Sequence, residues 1–259
     1  YGTKTLLDGS KGGNGVTTGE NLEYVGANEK TKGSGQRGYE VVIRQAATQA
    51  IVRGSLALDN NIIDRGEQIT LSEGNKMVTF QTIKGETVET NLNALEKAIK
   101  DAGLRIRMNR PLQMNTDANA PQILEFQHLD YGSEHSFRVS STTAGILSSA
   151  GDVYDTVQNG LDVHGEINGE EAKGRGQILT GGLGAAKVEG LQIRYTGEDV
   201  GYSKDDLKFM PLGATREMNF QQGLQNQAGK RVGGVTFSQT VLNFQVGANC
   251  GQTTILAIQ

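Results

Sequence analysis

The sequence has no tryptophan, a single cysteine and only three prolines among its 259 residues. One cysteine, Cys250, excludes an internal disulfide framework and a cysteine-based zinc site. So little cysteine suits a chain that crosses an export machine unfolded, and it suits many cytosolic chains equally. No apolar run approaches the roughly 18–20 residues needed to span a bilayer, so no membrane partner is expected. The opening Tyr1-Gly2-Thr3-Lys4 has neither Met nor an apolar h-region, which suggests a piece of a longer protein without its own signal peptide. Runs of one charge are also missing. The net charge is −4 with acids and bases interspersed, which excludes the basic face that nucleic acid requires. What is plentiful is glycine, 36 residues of it. Many glycines with almost no proline point to tight turns between short strands, not to a polyproline linker or a collagen repeat.

Strand signals dominate. Residues 39–45 are rich in β-branched side chains, and two strands, 68–71 and 77–80, flank Ser72-Glu73-Gly74-Asn75, a good hairpin turn. One helix stands out. Val88, Leu92, Leu95, Ile99 and Ala102 recur at spacings of four, three, four and three, which places them on one face. Thr87 can cap its start, Lys97 and Lys100 suit its negative end, and Gly103 can stop it. Alternation over 104–108 then returns the chain to a sheet. Shorter strands are expected at 123–126, 136–139, 190–195 and 235–237. Residues 22–28 and 242–249 each read as a strand running into a Gly-Ala-Asn turn. The fold class that follows is α+β, mostly β, with short antiparallel strands and one amphipathic helix.

Motifs that could carry chemistry are few. Gly33-Ser34-Gly35-Gln36-Arg37-Gly38 spells GxGxxG, but a dinucleotide loop needs a strand before it and a helix after it. Here Lys30-Thr31-Lys32 precedes and a strand follows, so a turn is expected. His128, Asp130, Glu134 and His135 suggest a metal, yet HExxH spacing is missing, and a polar loop between strands at Phe126 and Phe137 is the expectation. His164-Gly165-Glu166 mimics half of a zinc-deaminase signature without its paired cysteines. Cys250 sits in an expected turn, far in sequence from all three histidines. The expectation is no catalysis, no cofactor, no structural metal and no site residues of those kinds. No Asn-x-Ser/Thr sequon occurs, so any sugar would be O-linked, with hydroxyls clustered at Ser140-Ser141-Thr142-Thr143 and Ser148-Ser149.

Three segments together resemble bacterial flagellin. Thr5-Leu6-Leu7-Asp8-Gly9-Ser10 is similar to the segment that follows flagellin's long N-terminal helices. Residues 242–253 are similar to the segment re-entering the inner domain, with Cys250 a departure from the small or acidic residue usual there. Gly165-Glu166-Ile167-Asn168-Gly169, followed by residues 176–181 and 190–197, resembles the Ile-Asn motif of flagellins and hook-associated proteins. Residues 42–50 and 137–145 also resemble hook-associated sequence and recur in the flagellar filament cap protein, the closest competitor. The two ends favour flagellin.

The resemblance implies a structural segment of the bacterial flagellar filament, extracellular and on its surface, supporting motility. The alternatives are a filament cap protein, or a surface adhesin or carbohydrate-binding module. Its partners would be other copies of the same subunit, joined through flanking helices, with the segment alone monomeric. Residues 1–20 with 239–259 would form an inner-domain remnant. Residues 21–238 would be the inserted, variable outer part, one domain or two, with any division falling near 110–165. Leu6 and Leu7 need apolar partners, and a hairpin around 242–258 can supply them, so the two ends are expected side by side.

Overall fold

The computed structural model describes residues 15–110, 117–198 and 229–238, and the backbone of two further strands, Thr240–Gln245 and Thr253–Ile258. The chain divides into two compact units. One comprises residues 1–47 and 162–259, the other residues 48–161.

The first unit is built on an eight-stranded antiparallel sheet. Its strands are β1 (Gly15–Thr17), β2 (Leu22–Gly26), β3 (Tyr39–Gln45), β11 (His164–Ile167), β12 (Glu170–Arg175), β13 (Ile178–Gly181), β14 (Gln192–Tyr195) and β15 (Lys230–Phe237). Their spatial order is β1-β15-β3-β11-β12-β13-β14-β2. The two edge strands are consecutive in sequence and touch each other, so the sheet curls round into a barrel. Residues 18–21 stitch the seam: the Thr18 N–H donates to the Gly234 carbonyl at 2.8 Å, and the Thr196 N–H donates to the Asn21 carbonyl at 2.9 Å. Register shifts at His164/Gly165, Gln192/Ile193 and Arg231/Gly233 supply the local bends that such curling needs. Alternation fills the inside. Tyr39, Val41 and Ile43 point in from β3 and pack with Ile167, Leu179, Leu191, Ile193 and Val235. The β11–β12 hairpin turns on Asn168 and Gly169, both at positive φ (57° and 73°), the geometry of a type I′ turn.

The second unit packs a three-stranded sheet and a four-stranded sheet around one core. The former is ordered β4 (Gln49–Leu58), β8 (Gln122–Tyr131), β7 (Ile106–Met108). The latter runs β10 (Asp155–Thr156), β9 (Arg138–Ser141), β5 (Gln68–Glu73), β6 (Lys76–Gln81). Helix α2 (Val88–Asp101) buries Val88, Leu92, Leu95 and Ile99 against that core, beside Ile69, Leu71, Phe126 and Phe137. Thr87 Oγ1 accepts from the Thr90 N–H at 3.1 Å. At the other end the Leu104 N–H reaches Ile99 O and the Gly103 N–H reaches Lys100 O, with Gly103 at φ 66°, a complete Schellman stop. The sequence predicts one helix; a second, α1 (Asn60–Arg65), is present, capped by Asp59 and closed by Gly66 at φ 83°. Six residues are too few for a periodic signal. Thr48 clasps the two ends of this unit: its N–H donates to Leu161 O and its Oγ1 accepts from the Leu161 N–H, each at 2.9 Å. A unit whose ends meet can be inserted into another without distorting it.

Strands β16 (Thr240–Gln245) and β17 (Thr253–Ile258) form a hairpin in which Leu242 pairs with Leu256 and Phe244 with Thr254. The expected partners Leu6 and Leu7 lie outside the described residues, as does Cys250.

Candidate functional site

The GxGxxG stretch is a loop ahead of β3, as its flanks predict. The Ser34 N–H donates to Phe237 O at 2.9 Å, and the Tyr39 hydroxyl donates to the carbonyls of Lys32 and Gly33 at 2.9 and 3.1 Å. Gly35 and Gly38 have φ of 66° and 69°, so these glycines serve turns. The preceding Thr31 is fully buried and donates to Glu189 O at 2.7 Å. Lys30 Nζ lies 2.8 Å from Glu189 Oε1, and the Gly184 N–H donates to Glu189 Oε2 at 3.0 Å. The Lys30 hydrogen bond, then that of Gly184, holds the Glu189 carboxyl below its ordinary range; Lys30 is correspondingly raised. The loop is thereby fastened to the barrel.

A cleft of about 760 Å³ lies on this unit, lined by Tyr24, Asn28, Lys173, Thr180, Gln192 and Phe237 among others. Thr180 pairs with both Lys173 and Gln192, so these three form a polar row across β12, β13 and β14. The rings of Tyr24 and Phe237 stack at 6.2 Å, yet Phe237 is buried and offers no open platform for a sugar. No histidine or cysteine lines the cleft, and its one carboxylate, Glu189, is bound by Lys30 and Gly184. Among the described residues, the cleft brings together no acid–base pair.

The histidine cluster belongs to the second unit, and here the sequence reading needs correction. His128 and Asp130 are not in a loop but in the long strand β8, two residues apart and on one face; Glu134 and His135 follow in the connection to β9. The alternation through Leu124, Phe126 and His128, all buried, carries the strand past the expected end at Phe126. His128 Nδ1 accepts the Asp130 N–H at 2.9 Å, and Nε2 lies 2.9 Å from Glu73 Oε1. Glu73 Oε2 accepts the Arg105 N–H at 2.7 Å, and the Arg105 guanidinium grips the Asp130 carboxylate through Nε and Nη2. The His135 ring stacks on His128 with centroids 5.1 Å apart. Arg105 holds the Asp130 carboxyl below its ordinary range, chiefly through the hydrogen bond. Glu73 and Arg105 are the members that sequence reasoning missed. Alternation over 104–108 does turn Arg105 outward, but only the fold brings the β5–β6 turn beside it. Among the described residues, one group of three potential metal donors converges: His128, Asp130 and His135, all within 4.8 Å of one another.

His164 begins β11, 3.8 Å from Glu171, and Glu166 is paired with Arg44. The hydroxyl cluster also needs correction. Ser140, Ser141 and Ser148 are buried: Ser141 Oγ meets Ser148 Oγ at 2.8 Å and accepts the N–H groups of Leu147 and Ser148. They build a turn and are closed to a glycosyltransferase in the folded chain; Thr142 and Ser149 are exposed.

No protein-family model and no curated protein matches the sequence. Several solved structures show a loose likeness. The D2-D3 domains of the flagellar cap protein FliD from Escherichia coli share 11% identity at a TM-score of 0.46, covering 72% of this chain and 94% of that one. The same domains from Serratia marcescens give 14% and 0.44, covering 71% and 95%. FliD (HAP2) from Pseudomonas aeruginosa PAO1 gives 12% and 0.37, covering 84% and 98%.

Proposed function

We propose that this chain is a non-catalytic, extracellular structural segment of a bacterial flagellum, the outer part of a subunit that assembles with copies of itself. The observation that carries the reading is the coincidence of flagellar-type sequence with a nested fold. Residues 42–50, which resemble hook-associated proteins, run from β3 through Ala47, where the first unit is left, into β4. Residues 137–145, which carry the same resemblance, supply β9 and the buried serine turn. Both segments recur in the filament cap protein, and they occupy positions on which the second unit depends. The motifs that favour flagellin sit at the chain ends, and Leu6-Leu7-Asp8-Gly9-Ser10 lies outside the described residues. The cap-protein reading is therefore preferred, with flagellin second. The edge strands β1 and β2 lie against each other, and among the described residues the cleft holds no catalytic pair, which suits an inert structural part.

The test is the copy number of the parent protein in sheared, purified flagella, by quantitative mass spectrometry. A cap subunit is expected as a trace component relative to the main filament protein, and flagellin as that main component. Enrichment in the cell body with none in the flagella would overturn both.

A further inference from the structure

We propose that His128, Asp130 and His135 form a binding site for one divalent cation of the zinc, nickel or copper class, taken up in competition with Arg105. The three donors lie within 4.8 Å of one another, so side-chain shifts of about an ångström bring them to the roughly 3.3 Å spacing of ligands around a single tetrahedral ion. Two imidazoles and a carboxylate suit borderline metals; magnesium and calcium want all-oxygen shells. His128 is buried in mid-strand, which fixes its ring. Whichever of its nitrogens binds the ion, the other carries the ring proton and has an acceptor in place, the Asp130 carbonyl 3.2 Å from Nδ1 or the Glu73 carboxylate at Nε2. That is the outer support metal-binding histidines use. The charge balance points the same way: Glu73 and Asp130 carry two negative charges against the single positive charge of Arg105.

Occupation requires Arg105 to release Asp130. The Arg105 side chain is 56% exposed, so it can swing into water, and a dication outbids a monocation for the same carboxylate. The fold satisfies the donors without an ion, so the metal-free chain stays folded and the ion only adds to it.

The experiment is calorimetric titration of the chelator-treated, full chain with zinc chloride, and separately with magnesium chloride. One zinc ion per chain is expected, with no magnesium uptake at the same concentrations. His135→Ala and His135→Gln are expected to weaken zinc binding at least about tenfold. Arg105→Gln is expected to tighten it, because the competing cation is gone. His164→Ala and Cys250→Ser remove other donors and are expected to change nothing. Absence of zinc uptake overturns the proposal. So does uptake that survives both His135 variants, or that disappears with His164→Ala or Cys250→Ser. Circular dichroism confirms that each variant is folded, and the Arg105→Gln arm decides even if the His135 variants are not.

Discussion

Gly174 shows how close the barrel backbones run. A Cβ built on it would lie 1.6 Å from the Val163 carbonyl oxygen, and one on Gly181 would lie 1.8 Å from that of Val188. Neither obstacle is a side chain that could rotate away, so the backbone at Val163 or Val188 must shift to admit a methyl group. Gly174→Ala is expected to destabilise the first unit by about 2 kcal/mol or more, read as a lower urea midpoint. The sequence shows 36 glycines without saying which are turns and which are contacts, because the two uses differ only in what lies across the sheet. The Lys30–Glu189 pair gives a second expectation at this scale. Glu189 is held below its ordinary value of 4.5, so its contribution is complete above that pH and is lost as pH falls through the depressed folded value. Lys30 is raised above 10.5, so its share is lost only as pH rises beyond that. The stability difference between the natural chain and Lys30→Met should therefore hold from about pH 6 to 9 and shrink toward about pH 3. A difference that grows on acidification would contradict the pairing.

Elements were legible where periodicity is long and local. Four of the five face residues predicted for α2 are buried, and its cap at Thr87 and stop at Gly103 fall where capping chemistry puts them. The β5–β6 hairpin was legible too, with Gly74 at φ 56° in the turn. Less visible was β4, ten residues long, whose register shift between Arg53 and Ala57 spoils its alternation. The shift has a local cause: Gly145 O accepts the N–H groups of both Ser55 and Leu56, at 2.8 and 2.9 Å. Partners ninety residues away leave no local signal, and the same is true of the Glu73–His128–Asp130–Arg105 cluster. For α2, Thr87→Ala is expected to cost about 1 kcal/mol, since one capping bond at an exposed end is lost. Leu95→Ala, fully inside, is expected to cost roughly 2–5 kcal/mol. Comparable losses from the two variants in thermal melts would mean that α2 does not carry the core of the second unit.

At the scale of the molecule, composition pointed to a mostly β chain with one amphipathic helix, and the structure adds the curled sheet and the short α1. The order of the sheet was not legible, because β1 and β15 pair across more than two hundred residues through a single three-residue strand. The sequence holds no sustained heptad run of the kind that builds a helical filament core. The segment is expected to stay monomeric in light scattering at high concentration, with and without ammonium sulfate; ordered fibres from it alone would contradict the proposed division of labour. A cap subunit and a filament subunit reside at different places on the flagellum, and immunogold electron microscopy, with antibodies raised against this chain and applied to intact flagellated cells, distinguishes them. Label confined to the distal tip of each filament is expected, and label along the whole filament would replace the cap reading with flagellin. Label on the cell body with none on the flagella would contradict both.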